Sequence, residues 1–520
     1  KYAVQFAGLK TSQTSISTSG SQRIVRNTAY LYLSSLFTTL ISLYTSRLVL
    51  QTLGEESYGV YVVVGGIVMA LEFLNAAMGG ATSRFIVFEL GKKNRSQLQR
   101  TFSSAFWVHL LIACLVVLVA ETAGLWFLNA KLNIPADRME AAQWVFQFSI
   151  LTSVVNITQV PYNALMVAHE RMSITSMISS VNIVLRLGVV FLLLVSPIDQ
   201  LIAYSALLAG VSILTTLFYR WYCIRHFEEC RVYRGLHRDI LRPMLSFSLW
   251  GLLGYFSRSL QQQSISFVLN IFFGVTLNAA AGMALAVGGA IYSISTNITQ
   301  ACRPQIIKHY AAGDIAALSQ LYGKAIVALT LLYSLIAVPF VLETDYILHL
   351  WLSHPPAYTK VFVQALLAIN YFALINEILK IGIQATGQIR WMNIMYVIAY
   401  GLCVATTVLM VWQRPESPLV PYAVLAVCEI AIVVALCYNL KQMVSAISWS
   451  SMGKALLKVA LWVSITSLVT LFVQYWLTSS FGRLVLVTAT YFLLTLPAAL
   501  YLLLDPETRH SFLIKLHIVK

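Results

Sequence analysis

From about residue 27 to residue 504 the chain alternates long apolar stretches with short polar breaks. Apolar runs of about 18 or more residues are long enough to cross a hydrocarbon core as helices. The breaks predict fourteen spans, at 27–50, 58–80, 103–128, 141–168, 174–195, 200–219, 243–272, 276–299, 325–350, 360–379, 390–411, 419–439, 455–477 and 483–504. Linkers are short, and the longest non-spanning stretches, at 81–102, 220–242 and 300–324, are basic. They leave no room for a soluble domain. Residues 1–22, with TSQTSISTSGSQ, are polar and low in complexity. They read as a disordered cytoplasmic tail rather than a signal peptide, because no apolar core with a small-residue cleavage site precedes the first span.

Several spans carry polar stripes. In the first, Asn27, Ser34, Ser35, Thr38, Ser42, Thr45 and Ser46 recur mostly at three- and four-residue steps, which puts them on one helical face. Arg47 lies beside that face. The fourth span repeats the pattern with Ser149, Ser153, Asn156, Gln159 and Asn163, and Pro161 is placed to bend it. The seventh carries Arg258 with Gln261 and Gln262 three and four positions on, and Gly251 and Gly254 before them. The fifth places Asn182 and Arg186 four apart.

The pattern also repeats. LVLQTLGEESYGVYVVVGGI (48–67) and FVLNIFFGVTLNAAAGMALAVGGAI (267–291) each end a span in a Gly turn, at Gly54 and Gly274. A second glycine follows (Gly59, Gly282), then an apolar run with a glycine pair. ATSRFIVFELGKKN (81–94) lies 220 residues before ACRPQIIKHYAAGD (301–314), and both are basic amphipathic segments. Six spans separate the copies, so both face the same way across the membrane. The expected fold is an all-α polytopic membrane protein of fourteen helices, with two six-helix lobes related by a pseudo-two-fold along the membrane normal. The lobes are expected at 23–219 and 243–440, joined by a basic linker at 220–242, with a helix pair and tail appended at 441–520.

Composition narrows the class. Of 520 residues, 58% are hydrophobic and 11% charged, with mean hydropathy +0.76; soluble domains carry about 25% charged residues. The net charge of +15 invites a nucleic-acid reading, but its placement argues against one. With the amino terminus inside, 27 Lys and Arg residues fall on the cytoplasmic side and five opposite. Such a bias orients both termini inward and anchors anionic lipid headgroups. The seven cysteines show no pairing or ligand spacing and read as small buried hydrophobes. The chain contains no GxxxxGK[ST] or HExxH. His109, alone in a span, reads as a packing residue, and ETD (343–345) reads as an outer-face helix terminus. No metal, no cofactor and no enzymatic reaction are expected.

Three Arg residues remain inside spans: Arg47, Arg186 and Arg258. Placing Arg in hydrocarbon costs roughly 2.5–3.5 kcal/mol on insertion scales, and interhelical hydrogen bonds return about 0.6 kcal/mol each. A polar cavity is the cheapest home for Arg258; the alternative is a buried pair with Glu72, Glu377 or Glu429. Arg47 is near enough to the outer end to snorkel, and Arg186 is open to either reading. Glu72 (with Asn75 one turn on) and Glu377 (with Lys380 close by) are either salt-bridge partners or carboxylates that couple a proton or sodium gradient. Guanidinium groups match phosphate, and Ser, Asn and Gln stripes suit sugar hydroxyls. Together they fit a phospho-sugar head whose lipid tail stays in the bilayer.

SRLVLQTLGEESYGVYVVVGGI, followed by FLNAAMGGATSRFIVFELGKKN, resembles the polysaccharide-type flippases of the multidrug/oligosaccharidyl-lipid/polysaccharide exporter superfamily, in particular the O-antigen branch. The resemblance covers spans 1–12 and, more loosely, 13–14. It implies movement of an undecaprenyl-diphosphate-linked oligosaccharide from the inner to the outer leaflet of the bacterial cytoplasmic membrane by alternating access. Arg47 would match the Arg commonly seen in the first span and Arg258 the basic site of the seventh. On this reading Arg258, helped by Arg47 and Arg186, holds the diphosphate. Thr38, Ser42, Asn156, Gln159, Gln261 and Gln262 brush the sugars. Related lipid II flippases have a more Arg-rich cavity; related drug exporters carry acidic residues in the first lobe, a role for which Glu72 is the strong candidate here. Drug export and a non-transporting scaffold in a polysaccharide assembly complex are the competing expectations. The protein is expected to work as a monomer, with polysaccharide polymerase and chain-length machinery as candidate partners.

Overall fold

In the computed structural model, residues 18–92, 94–230, 238–413, 417–444 and 449–503 are described. The expected tail at 1–17, the linker core at 231–237 and the end at 504–520 lie outside the described residues. The described chain is helical, with no strand. The first lobe contains α1 (Thr18–Ala70), α2 (Phe73–Gly91), α3 (Arg95–Val119), α4 (Leu125–Ala130), α5 (Met139–Ala168), α6 (Met172–Leu193) and α7 (Gln200–His226). The second contains α8 (Arg238–Phe273), α9 (Val275–Ala311), α10 (Ile315–Leu342), α11 (Thr344–Leu352), α12 (Thr359–Thr386), α13 (Ile389–Gln413) and α14 (Val420–Met443). A hairpin of α15 (Trp449–Tyr475) and α16 (Phe481–Leu503) packs on α10.

Every expected span falls on a helix, but the count of fourteen is not established. Among the described residues nine helices are long and apolar enough to cross a membrane by length and composition. A tenth is gained if Leu36–Ala70 and Phe73–Gly91, which meet at 50°, form one bent span. The helices that fall short include α5 and α8, which each place polar side chains in a cavity. Three boundaries also shift. Helix α1 begins at Thr18, inside the expected tail, and the expected linker is entered from both sides, by α7 as far as His226 and by α8 from Arg238.

The repeat is visible in the backbone. Gly54 (φ 78°, ψ 168°) breaks α1, and Gly274 (φ 86°, ψ −179°) separates α8 from α9. Both sit in the left-handed region that favours glycine. Just beyond these turns the lobes meet backbone to backbone. A Cβ on Gly59 would strike the Val275 carbonyl, and one on Gly282 would come within 2.9 Å of the Tyr58 ring and the Val62 methyl. Val60, Val63 and Val64 of α1, and Ala279, Ala280 and Met283 of α9, are all buried beside this crossing. A second contact lies deeper, where Phe73 meets Phe256 edge-on at 5.2 Å and Ser259 donates to the Ala70 carbonyl at 2.8 Å.

An ion pair fixes the hairpin. Arg483 of α16 donates to Glu343 Oε2 through Nη2 at 2.7 Å and Nε at 3.2 Å, and Gln474 of α15 donates to the Leu342 carbonyl at 2.6 Å. Glu343 is fully buried. It does mark a helix end, but its larger role is to hold the hairpin. At the basic end of the first lobe, His169 stacks on Phe227 at 4.3 Å and lies 4.0 Å from Glu229. Burial, aided by Arg171, holds its imidazole below the usual histidine range against the opposing pull of Glu229.

Three outcomes follow from this packing. Gly59→Val overpacks the lobe crossing and lowers the thermal stability of the purified protein by about 1–3 kcal/mol; an unchanged melting temperature contradicts the crossing. Glu343→Gln strands Arg483 and costs about 3–5 kcal/mol, read as a lowered melting temperature and faster proteolysis after Met443, whereas the Glu343→Leu/Arg483→Leu double variant recovers most of the loss. The unfolded chain protonates His169 more readily than the native one, so native stability falls as pH drops through the window just below the usual histidine value. His169→Gln flattens that pH dependence in thermal melts.

Candidate functional site

Helices α8, α9, α12, α13 and α14, with a small contribution from α2, enclose a cavity of about 910 Å³. Four basic side chains line it (Arg258, Arg303, Lys380 and Arg390), against two acidic ones (Glu377 and Glu429). Small residues make the room: Gly251 and Gly254 on α8, Gly289 on α9, and Gly80 on α2.

Arg258 sits at the centre of a charge network. Its Nη1 donates to Glu377 Oε1 at 3.1 Å, and Lys380 Nζ reaches the two oxygens of the same carboxylate at 3.1 and 3.2 Å. Two cations share one anion, so the trio keeps a positive charge. The Arg258 side chain remains 48% exposed, and it lines the cavity, so this pair is not sealed in a dry seam. Spacing explains the arrangement: Glu377 and Lys380 lie one turn apart on α12 and present a single face to α8. Both expectations for Arg258 are met at once, a polar cavity and a carboxylate partner.

Around this network lie uncharged donors and aromatic rings. Gln261 and Gln262 follow Arg258 along the cavity wall, as the stripe on α8 predicts. Tyr255, Tyr292, Tyr396, Tyr400 and Tyr422 add hydroxyls and flat apolar faces, and Tyr396 and Tyr400 stack at 5.9 Å. Glu429, on α14, is buried against neutral partners: Tyr400 donates to it at 2.8 Å, and the Asn376 amide closes on its other oxygen. Arg303 donates weakly to Gln384 at 3.5 Å, and its Nε is buried without a hydrogen-bond partner among the described residues.

The structure does not bring all the expected site residues together. Thr38, Asn156, Gln159 and Arg186 line a different cavity, of about 450 Å³, between α1, α5, α6 and α7 of the first lobe. Arg47 and Ser42 line neither cavity, in keeping with a guanidinium near the helix end that can reach outward. Glu72 also lines neither; it sits in the break between α1 and α2, half-buried, with no side-chain partner among the described residues. The tyrosines, Arg303 and Arg390 were not among the expected residues. Tyrosines score as apolar in a span, and Arg303 follows a predicted span end; only the continuation of α9 through Pro304 to Ala311 carries it to the cavity. Among the described residues no group of three or more His, Cys, Asp or Glu side chains could hold a metal ion.

The two cavities are related by the internal repeat. Thr38 and Asn156 stand 220 residues before Arg258 and Asn376, the offset of Gly54 and Gly274. Helix bounds keep this offset to the end of the lobes, with α7 starting at Gln200 and α14 at Val420. Thr38 and Asn156 line the cavity of the first lobe, and Arg258 and Asn376 that of the second.

Two helical lobes, each with its own cavity, make a multi-pass membrane fold, and solved structures share it. Lipid II flippase MurJ, in an inward closed conformation, aligns with TM-score 0.67 at 14% identity, covering 89% of this chain and 96% of that one. A multidrug resistance MATE family transporter of the MOP superfamily, inward-facing, aligns with TM-score 0.66 at 13% identity, covering 80% and 95%. A MOP superfamily transporter from Pyrococcus furiosus, described as having a binding pocket of reversed polarity, aligns with TM-score 0.54 at 13% identity, covering 80% and 96%. No curated protein matches the sequence at a significant level. Residues 24–308, more than half the chain, match the polysaccharide biosynthesis protein family, and the chain belongs to that family.

Removing Lys380 isolates the Arg258–Glu377 pair without emptying the cavity. Lys380→Met weakens binding of inorganic pyrophosphate to the purified protein by roughly tenfold or more, measured by calorimetry; Glu377→Gln, which frees both cations, tightens it. Equal affinities for all three proteins contradict a cationic chamber.

Proposed function

We propose that the protein is a flippase that carries an undecaprenyl-diphosphate-linked oligosaccharide from the inner to the outer leaflet of the bacterial cytoplasmic membrane. The observation that carries the reading is the surplus of cations in a large cavity inside a lobed membrane fold. A diphosphate presents charge and acceptor oxygens to match Arg258, Lys380, Arg303 and Arg390. The tyrosine faces, Gln261 and Gln262 suit sugar rings and their hydroxyls. The polyprenyl tail stays in lipid while the head crosses in the chamber.

Family membership supports a role in polysaccharide biosynthesis, and the neighbouring fold is one on which a lipid II flippase works. Rocking of the two lobes about the Gly59–Gly282 crossing would expose the chamber to each side in turn. Of the two carboxylates expected to couple an ion gradient, Glu377 is held by two cations. Glu72, unpartnered at the break between α1 and α2, is the better placed to take up a proton or sodium ion. Export of cationic drugs, as in the multidrug neighbours, would need an acidic chamber, and this one is basic.

Reconstituted in proteoliposomes, the protein is expected to move an undecaprenyl-diphosphate-linked glycan between leaflets. Arg258→Gln slows it by roughly tenfold or more, the loss of one charge-assisted contact, and Arg258→Lys keeps an intermediate rate. Equal rates for all three remove Arg258 from the reading, and no movement by the unaltered protein rejects the flippase itself.

A further inference from the structure

The first-lobe cavity, between α1, α5, α6 and α7, differs in chemistry from that of the second lobe. Its lining contains no carboxylate and one cation, Arg186. Arg186 Nε donates to Asn182 Oδ1 at 2.9 Å, Asn182 Nδ2 donates to Thr215 Oγ1 at 2.8 Å, and Thr215 donates to the Val211 carbonyl at 2.8 Å. This relay fixes the plane of the guanidinium. It uses only Nε, and the two Nη groups have no hydrogen-bond partner among the described residues.

From this geometry we infer that the first-lobe cavity is a second subsite, which takes a carboxylate-bearing sugar of the transported glycan. The inference rests on the flippase reading and narrows its substrate to acidic glycans. A lone guanidinium with a free pair of N–H groups matches one carboxylate bidentately, whereas a diphosphate finds its several cations in the second lobe. Asn156, Ser179, Ser212 and Tyr219 surround Arg186 with the hydroxyl and amide groups that sugar hydroxyls require. Gln159 accepts from Thr216 at 2.7 Å, which leaves its amide N–H groups to donate inward. A phospholipid headgroup is a poorer fit, since it needs an apolar wall for its chains and only Ile178 and Ile183 in this lining are aliphatic.

Divergence of the repeat points the same way. Thr38 stands where the second lobe has Arg258. The first-lobe lining holds one cation and no acidic group, against four cations and two carboxylates in the second. With no carboxylate in the lining, nothing there neutralises a charge that costs roughly 2.5–3.5 kcal/mol to insert. An anionic ligand does.

The test compares free glucuronic acid with glucose, titrated calorimetrically into the full-length protein, in the unaltered form and as Arg186→Gln and Arg186→Lys. Thermal melting confirms that each variant is folded. Glucuronate is expected to bind the unaltered protein and to lose roughly tenfold or more in affinity with Arg186→Gln, with Arg186→Lys intermediate and glucose indifferent to both changes. Glucuronate binding that ignores Arg186, or a phosphatidylglycerol-containing nanodisc that displaces glucuronate through Arg186, overturns the subsite. In proteoliposomes Arg186→Gln is expected to slow a glucuronate-bearing lipid-linked glycan and to spare its glucose counterpart, while Arg258→Gln slows both. Equal slowing of the two glycans by Arg186→Gln also overturns the acidic-sugar assignment. Binding of glucuronate through Arg186 without flipping of either glycan leaves the subsite standing and rejects the flippase reading instead.

Discussion

A guanidinium inside a helix of a membrane protein has to be compensated, and the rest of the structure is arranged around how that is done for Arg258. Isolated in hydrocarbon it would be excluded on energetic grounds. Sealed against one carboxylate in a dry seam it would be neutral and inert. The protein does neither. Glu377 is shared with Lys380, so one anion serves two cations, and the side chain stays open to a chamber. The result is a fixed positive charge held among the helices at a tolerable cost.

The chamber lies within the second lobe, and the lobes touch beside it. Glycines at the α1–α9 crossing let two backbones meet, which joins the lobes near the Gly54 and Gly274 turns. The second contact, Phe73 on Phe256 with Ser259 on the Ala70 carbonyl, falls on α8 within two residues of Arg258 and beside the break that carries Glu72. The lobe contact, the break between α1 and α2 and the charge network therefore meet at one place. The hairpin α15–α16 stands apart from this machinery, fixed to the second lobe through the buried Glu343–Arg483 pair.

Much of the fold was legible in the sequence because its cause is local. Apolar run length locates the helices, and the Gly54 and Gly274 turns announce the repeat, since only glycine adopts their backbone angles without strain. Span counting was less secure where a helix faces a polar interior, as α5 and α8 do. At the site, Arg258, Gln261, Gln262 and Glu377 were readable from charge and helical spacing. Their grouping with Arg186 was not, because spacing along one helix says nothing about which lobe's cavity a residue enters. The tyrosines were invisible for a different reason: a ring that lines a cavity and one that faces lipid look alike in a span. Arg303 was hidden by the assumption that a basic residue after a span end lies in water.

The central claim, a water-accessible cationic chamber that accepts a diphosphate, is tested most directly at Gln262. This residue lies one turn from Arg258 and is exposed on the cavity wall. In a cysteine-free background, Gln262→Cys should be modified by a charged, membrane-impermeant thiol reagent, and inorganic pyrophosphate should slow that modification in an Arg258-dependent way. A thiol that the reagent never reaches, or one whose modification is indifferent to pyrophosphate, would contradict the account.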